Sequence, residues 1–127
     1  MTIQRYKRLA AGLGMLTGLL LLLTGLLLAK HFALVLQLAI VNDQSEIFAE
    51  MREKALRSDP AEAAGYLEFV VSYYPSGTKL THGSMADRIV ERDRACAVSD
   101  IIAYLRAKTG LDLGADPGPW IKRFRVR

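Results

Sequence analysis

Residues Leu9 to Ala29, LAAGLGMLTGLLLLLTGLLLA, decide the fold class of this 127-residue chain. The stretch contains no charged side chain, and 11 of its 21 residues are leucine. A helix of that length, rising about 1.5 Å per residue, is about 30 Å long, which matches the hydrocarbon core of a bilayer. The sequence therefore predicts a transmembrane helix over residues 9–29.

The alternative is a cleaved secretory signal peptide, which also begins with basic residues followed by an apolar run. In a signal peptide the apolar region has about 7–15 residues and is followed by small residues at the cleavage site. Here the apolar run is longer, and Ala29 is followed by Lys30, His31 and Phe32. The pattern favours an uncleaved anchor.

Charge is distributed unevenly around this apolar stretch. The chain has a net charge of +4, although residues 42–127 carry 13 basic and 13 acidic side chains. The excess comes from Arg5, Lys7, Arg8 and Lys30. Because cytoplasmic flanks of membrane helices are enriched in Lys and Arg, we expect a cytoplasmic N-terminus and a translocated C-terminal domain. In a bacterium this describes a single-pass protein of the inner (plasma) membrane whose C-terminal domain is periplasmic.

Composition excludes several other classes of protein. A single cysteine cannot form a disulfide framework within the chain. The balanced charge after residue 42 does not provide the basic surface of a nucleic-acid binder, so no nucleic-acid partner is expected. No nucleotide-binding, hydrolase or kinase signature is present, and no cofactor is expected.

Small residues recur along one side of the predicted membrane helix, at Gly14, Gly18, Gly25 and Ala29. They form two pairs with a spacing of four, which lets the backbones of two membrane helices approach closely. The pattern indicates helix–helix packing, either in a homo-oligomer or with the span of a protein partner. The alternative is that glycine is simply common in membrane helices.

A second apolar run, Phe32 to Val41, is too short to span a bilayer by itself. No Gly or Pro interrupts residues 30–57, so we expect the helix to leave the membrane and continue as a membrane-proximal helix. The run is apolar nearly all round and must be covered by lipid, by the folded domain or by another chain. Phe32, Val35 and Leu36 are therefore candidate partner or lipid contacts.

The residues beyond Ser58 predict a small helical domain. Asp59-Pro60 and Ser84 are typical of helix starts, and Gly110 is typical of a helix end. We expect a helical hairpin over about 60–74 and 84–109, and a short C-terminal helix after Asp116-Pro117. A strand at residues 69–71 is the alternative within the first of these helices, because Phe and Val favour strands.

The predicted fold class is therefore all-α, with a transmembrane helix that continues into a membrane-proximal helix and then a small helical hairpin or bundle. The predicted divisions are a cytoplasmic N-terminus at 1–8, the transmembrane helix at 9–29, the membrane-proximal helix at 30–57 and the helical extracytoplasmic domain at 58–127.

Several short motifs in the second half of the chain resemble those of a group of bacterial membrane proteins. They are YYPSGTK (73–79), ERDR (91–94), LRAKTG (105–110) and DLGADP (112–117), followed by Trp120. Over roughly residues 58–122 this pattern resembles uncharacterised single-pass membrane proteins of bacteria with a small helical C-terminal domain. The resemblance implies an all-α domain, carries no known activity and transfers no catalytic residue.

His82, Asp87 and Glu91 are the candidates for a metal site. Asp87 and Glu91 are one turn apart on a predicted helix that follows His82, and imidazole and carboxylate groups bind divalent metals. The favoured interpretation is a loop histidine beside an ordinary charged helix face, because the spacing matches no metal motif. No bound metal is therefore expected.

Arg94 projects near the apolar face of the second hairpin helix. A buried arginine requires a partner for its charge. We therefore expect Arg94 to form a structural ion pair, with Glu68 or Asp59 as the candidate partners.

The last six residues, KRFRVR, carry four basic side chains and follow Trp120 closely. Three interpretations stay open: a solvated tail, a contact with anionic lipid headgroups or a partner, and nucleic-acid binding, which an extracytoplasmic location disfavours. The residues assigned to the lipid or partner contact are Trp120, Lys122, Arg123 and Arg125.

Together these patterns predict a membrane-anchored helical interaction or structural subunit without catalytic activity, which forms part of a membrane complex or a homo-oligomer. The alternatives are a small metal-dependent enzyme and a lipid-headgroup-binding adaptor on the outer face of the membrane.

Overall fold

The computed structural model describes the backbone from Thr2 to Arg125 and the side chains from Ile3 to Arg125. It contains four α-helices: α1 (Thr2–Ala55), α2 (Pro60–Ser72), α3 (Met85–Thr109) and α4 (Pro117–Phe124). No strand occurs in these residues, so the all-α prediction is confirmed, and the alternative strand at residues 69–71 is wrong. The structure divides into two units between Leu36 and Gln37, and α1 contributes residues to both.

Unit 1 consists of α1 up to Leu36. All of its described side chains are exposed, although most of them are apolar. The hydroxyls of Thr17 and Thr24 donate to carbonyl oxygens one turn earlier, each at 2.8 Å, so the polar groups of the apolar stretch are satisfied within the helix. The helix is long and apolar enough to cross a membrane, judged by its length and composition.

In unit 2 the second half of α1 lies parallel to α3. Ser45 Oγ donates to Asp93 Oδ2 at 2.5 Å. Two turns further along both helices, Arg52 Nε pairs with Asp100 Oδ2 at 3.2 Å. The contact between these two helices therefore stays in register over about 10 Å.

Helix α2 runs in the opposite direction to both. Near its start, the hydroxyl of Tyr104 donates to the carbonyl oxygen of Ser58 at 2.5 Å. Near its end, the guanidinium of Arg94 donates to the carbonyl oxygen of Val70, also at 2.5 Å. Tyr104 lies in the second half of α3 and Arg94 in the first half, so the two helices form the predicted antiparallel hairpin.

The core of unit 2 is built by large side chains from all four helices that are almost completely buried: Phe48, Leu67, Val70, Ile101, Leu105 and Trp120. Full burial of such a side chain contributes about 1.5–3 kcal/mol. The indole Nε1 of Trp120 donates to the carbonyl oxygen of Gly114 at 2.9 Å, so its polar atom is satisfied. The short helix α4 therefore closes the core.

The helix ends follow the predicted signals with one difference. The side chains of Asp59 and Ser84 accept hydrogen bonds from backbone N–H groups of α2 and α3 at 2.9 and 3.1 Å. Gly110 ends α3 with a φ of +69°, a conformation that glycine adopts without strain. Helix α2 stops at Ser72 and not at 74, because Tyr74 has a φ of +39° and the proline after it disfavours the helical conformation.

Candidate functional site

The small residues assigned to helix packing lie on the exposed surface of unit 1. A Cβ atom placed at Gly14, Gly18 or Gly25 would meet no neighbouring atom within 4 Å. Ala29 is exposed as well. This side of the helix therefore leaves room for the close approach of a second helix, which is the steric condition for packing of this kind.

The residues assigned to partner or lipid contact follow on the same exposed helix. Phe32, Val35 and Leu36 are 71%, 51% and 53% exposed. The first partly buried apolar side chains come later, at Ile40 and Val41, which pack against the core of unit 2. The folded domain therefore covers only the last two residues of the second apolar run, Phe32 to Val41. The rest of the run is not covered by the described residues.

The structure brings together only two of the three candidate metal ligands. His82 Nδ1 lies 3.8 Å from Asp87 Oδ2, whereas Glu91 Oε1 pairs with Arg94 Nε at 3.3 Å. Between Thr2 and Arg125 no group of three His, Cys, Asp or Glu side chains is placed to hold a metal ion. The three-residue site is therefore not assembled.

Asp87 instead organises the loop between α2 and α3. Its buried carboxylate accepts hydrogen bonds from Ser76 Oγ at 2.6 Å and from the Gly83 N–H at 2.9 Å. Ser76 Oγ also lies 2.8 Å from His82 Nδ1. The Ser76 hydroxyl, followed by the Gly83 N–H, holds the pKa of the Asp87 carboxyl below its ordinary value.

This Ser–His–Asp cluster has a different order from that of a hydrolytic triad. In a triad the imidazole lies between the carboxylate and the hydroxyl, and it removes the hydroxyl proton. Here the Ser76 hydroxyl lies between Asp87 and His82. Its proton is held by the carboxylate, so the oxygen is not activated for attack, and the arrangement serves to anchor the loop.

Arg94 is buried, as its position on the apolar face predicts, but its partners differ from those expected. Its guanidinium donates to the carbonyl oxygens of Val70 at 2.5 Å and Tyr74 at 2.7 Å. The expected ion pair is present, but its partner is Glu91, one turn earlier on α3, at 3.3 Å, and the candidates Glu68 and Asp59 are wrong. The last carbonyl oxygens of a helix have no N–H donor within the helix. At the end of α2 the guanidinium of Arg94 provides these hydrogen bonds.

The basic residues near the C-terminus have different surroundings. Lys122 and Arg123 are exposed on α4, whereas Arg125 pairs with Glu68 of α2. Trp120 is completely buried, so its assignment to a lipid or partner contact is wrong, because its ring fills the core. The last two residues of the predicted tail lie outside the described part of the chain.

An aromatic cluster at the end of α2 has no counterpart among the predicted sites. The ring of Tyr73 stacks on Phe69 with a centroid distance of 5.0 Å and meets Tyr74 edge-on at 4.6 Å. Lys79 Nζ lies 3.7 Å from the centroid of the Tyr74 ring, within the range of a cation–π interaction. The signal in the sequence is a pair of tyrosines immediately before a Pro-Ser-Gly turn, which folds the lysine back onto them.

Cys96 is exposed and lines an open groove of about 220 Å³ between α1 and α3. The polar side chains beside it are engaged with partners, since Ser45 donates to Asp93 and Arg52 pairs with an acid of α3. His82 contacts Ser76 in the loop, so Cys96 and His82 do not form a pair of nucleophile and base. Cys96 is thus an accessible thiol without an adjoining base.

Comparisons with models of known protein families, with curated proteins and with solved structures found no match. The resemblance to bacterial single-pass membrane proteins therefore stays a prediction.

Proposed function

We propose that the protein is a single-pass membrane protein whose small helical domain acts as an interaction or structural subunit, in a membrane complex or a homo-oligomer. The observation that carries this proposal is the exposed apolar helix of unit 1. None of its described side chains is covered by the rest of the chain. Soluble monomers rarely expose apolar patches larger than a few hundred Å², so this surface requires an apolar environment.

The distribution of the apolar residues supports lipid as the main covering. Leu19 to Leu23 are five consecutive leucines, which point in all directions around the helix, and each is between 49% and 69% exposed. A soluble coiled coil needs apolar residues only along its seam and polar residues elsewhere. Lipid contacts the whole circumference, and the uncharged length of about 30 Å equals the hydrocarbon thickness.

The proposed orientation follows from the charges that flank the span. Arg5, Lys7 and Arg8 precede it, which favours an N-terminus in the cytoplasm and unit 2 on the opposite side. In a bacterium, unit 2 then lies in the periplasm, anchored to the inner membrane. Within the described residues, nothing favours the alternative of a metal-dependent enzyme, because Glu91 is bound to Arg94 and not to the His82–Asp87 pair.

Membrane fractionation tests the anchoring. The full chain is expected to stay in the membrane pellet after alkaline carbonate extraction. The double variant Leu20→Arg/Leu22→Arg places two charges in the centre of the span, each costing about 3 kcal/mol, and is expected to be extracted or lost. The control is Ala107→Arg, which adds a charge at an exposed position of α3 in unit 2 and should stay in the pellet. Extraction of the unmodified chain would contradict the proposal.

The exposed Cys96 is the only cysteine of the chain and therefore a direct probe of topology. In intact spheroplasts, a membrane-impermeant maleimide is expected to label Cys96 without permeabilisation. In the matched variant Cys96→Ala/Ile3→Cys, the single thiol lies before the span and should react only after the membrane is opened. The reverse pattern would overturn the proposed orientation and leave the anchoring intact.

The interaction role is supported by the side of α1 that carries Gly14, Gly18 and Gly25, where no described residue beyond the local helix backbone comes within 4 Å of an added Cβ. Two spans that approach there gain close backbone packing, which is the main contribution to association within lipid. We propose that this side contacts either a second copy of the chain or the span of a partner. Chemical cross-linking in membranes followed by mass spectrometry distinguishes the two, by the identity of the linked chain.

A further inference from the structure

The directions of the helices show which segments lie at each of the two ends of unit 2. Within unit 2, α1 runs from Gln37 to Ala55, and α3 is parallel to it. The start of α3 and the end of α2 therefore lie at the Gln37 end of unit 2, together with the loop 73–84 that joins them. Gln37 directly follows the apolar helix in the sequence.

The side chains at the Gln37 end are those typical of a membrane interface. Met85 is 73% exposed and Tyr74 is 40% exposed. The ammonium group of Lys79 lies over the Tyr74 ring, and Phe69 extends the aromatic surface through its stack on Tyr73. Tyrosine rings and long lysine side chains are enriched where one end of a side chain meets hydrocarbon and the other meets headgroups.

The apolar helix is about as long as a bilayer with its headgroup regions is thick. From Leu9 to Leu36 the helix is about 42 Å long, and a bilayer with both headgroup regions is about 40–45 Å thick. Burial against the core of unit 2 begins at Ile40 and Val41, four and five residues after Leu36.

We propose that the Gln37 end of unit 2 is a phospholipid-contact surface, in which Lys79 binds phosphate oxygens of the headgroups while Tyr74 and Met85 enter the interface. The inference rests on the proposed membrane anchoring. The carboxylate of Asp87, in the first turn of α3, does not oppose an approaching phosphate, because it is buried and accepts hydrogen bonds from Ser76 and Gly83 of the loop.

The contact is local and does not depend on a basic face. Exposed acids, Asp43 and Glu46, lie on α1 near this end, and an exposed base, Arg88, lies on α3. Together with Lys79, these two acids and one base sum to zero. The surface is therefore expected to contact zwitterionic phosphatidylcholine as well as anionic phosphatidylglycerol, because both carry the phosphate that Lys79 recognises.

Fluorescence quenching in vesicles tests the proposal with the full chain. In a Cys96→Ala background, one cysteine is introduced at Thr81 in the loop or at Ala107 near the other end of α3, both exposed. Each is labelled with a nitrobenzoxadiazole dye and reconstituted into phosphatidylcholine vesicles that contain a headgroup-nitroxide lipid. The label at 81 should lose most of its fluorescence, and the label at 107, about 30 Å further along α3, should keep it. Equal quenching at both sites would overturn the proposal.

Two further variants isolate the contribution of the lysine. Lys79→Glu is expected to reduce quenching at 81, whereas Lys108→Glu is expected to leave it unchanged. Lys108 is a matched control, because it is also exposed and lies over a tyrosine ring, that of Tyr104, but at the far end of the unit. An equal effect of the two variants would show that Lys79 has no specific contact.

Flotation of the same vesicles separates this inference from the proposed function. A chain that does not float with the vesicles contradicts the anchoring itself. A chain that floats while the label at 81 stays bright contradicts only the lipid contact of the Gln37 end. The fluorescence of the buried Trp120 verifies that each variant is folded.

Discussion

Arg94 Nη2 donates to the backbone carbonyl oxygen of Tyr74 at 2.7 Å. This bond connects α3 to the segment that follows directly after the end of α2. Tyr74 has a left-handed φ of +39°, which is costly for a residue with a bulky side chain. The same guanidinium donates to Val70 and lies 4.7 Å from the centroid of the Phe48 ring of α1. One buried charge thus joins three helices at the end of α2.

Replacement of Arg94 by leucine is therefore expected to destabilise unit 2 by about 3 kcal/mol, because at least two carbonyl oxygens lose their donor in a buried environment. The matched control is Arg92→Leu, an exposed arginine of the same helix, expected to change stability by less than about 0.5 kcal/mol. Urea unfolding of the full chain in detergent, followed by Trp120 fluorescence, measures both. Equal midpoints for the two variants would contradict the role assigned to Arg94.

The helix boundaries of unit 2 were predictable because their signals are local. Asp59, Ser84 and Gly110 act on backbone groups within a few residues, so the sequence around them contains the relevant information. The all-α class followed in the same way from these ends and from helical spacing between them. The predicted end of α2 is two residues too late, because Tyr74, before Pro75, has a left-handed φ and its carbonyl oxygen accepts a hydrogen bond from Arg94, twenty residues away.

The partners of Arg94 and the place of Trp120 were not predictable from residue types. Acidic residues can be identified in a sequence as candidate partners of an arginine. The carbonyl oxygens that accept hydrogen bonds from Arg94 belong to Val70 and Tyr74, whose side chains are not acidic. The position of Trp120 next to a basic tail suggests a lipid contact. In the structure its ring instead fills the core of this small helical domain. Both depend on the tertiary arrangement, which short-range patterns do not encode.

Stability is expected to fall in acid through Asp87. Its pKa is lowered in the folded state, first by the Ser76 hydroxyl and then by the Gly83 N–H. A carboxyl of this kind stabilises the fold above its unfolded pKa of about 3.9, and this stabilisation is lost as the pH falls through the lower folded pKa. The urea midpoint should therefore decline below about pH 4, and Asp87→Asn should remove part of that decline.

Two variants check the origin of this pH dependence. Ser76→Ala removes the largest cause of the lowered pKa and should also flatten the acid decline, while Asp43→Asn, at an exposed position of α1, should follow the unmodified chain. Asp112 contributes with the same sign, because the Gly114 N–H and Arg106 lower its pKa, so some decline should remain in Asp87→Asn. An unchanged acid profile in both Asp87→Asn and Ser76→Ala would refute the assignment.

Truncation of Trp120 is expected to unfold most of unit 2. The ring is completely buried and its Nε1 donates to Gly114, so Trp120→Ala leaves a cavity in the core and removes this hydrogen bond. The expected cost is about 3–5 kcal/mol, a large part of the stability of a small domain. Thermal unfolding followed by far-ultraviolet circular dichroism measures it. Met85→Ala, which truncates a 73% exposed apolar side chain, should unfold with the unmodified chain; a similar loss there would argue against core packing as the cause.

Close packing of two spans predicts that added bulk at Gly18 weakens association. Gly18→Ile fills the space that is open beside this residue and keeps two helix backbones apart, so dimerisation in vesicles is expected to weaken about tenfold, or about 1.4 kcal/mol. Leu20→Ile is the control, because residue 20 points about 200° away from residue 18 around the helix. Energy transfer between labelled chains, measured against dilution in lipid, reports the affinity. If Gly18→Ile and Leu20→Ile associate equally, the small-residue side does not form a homodimer, and a partner's span becomes its only proposed contact.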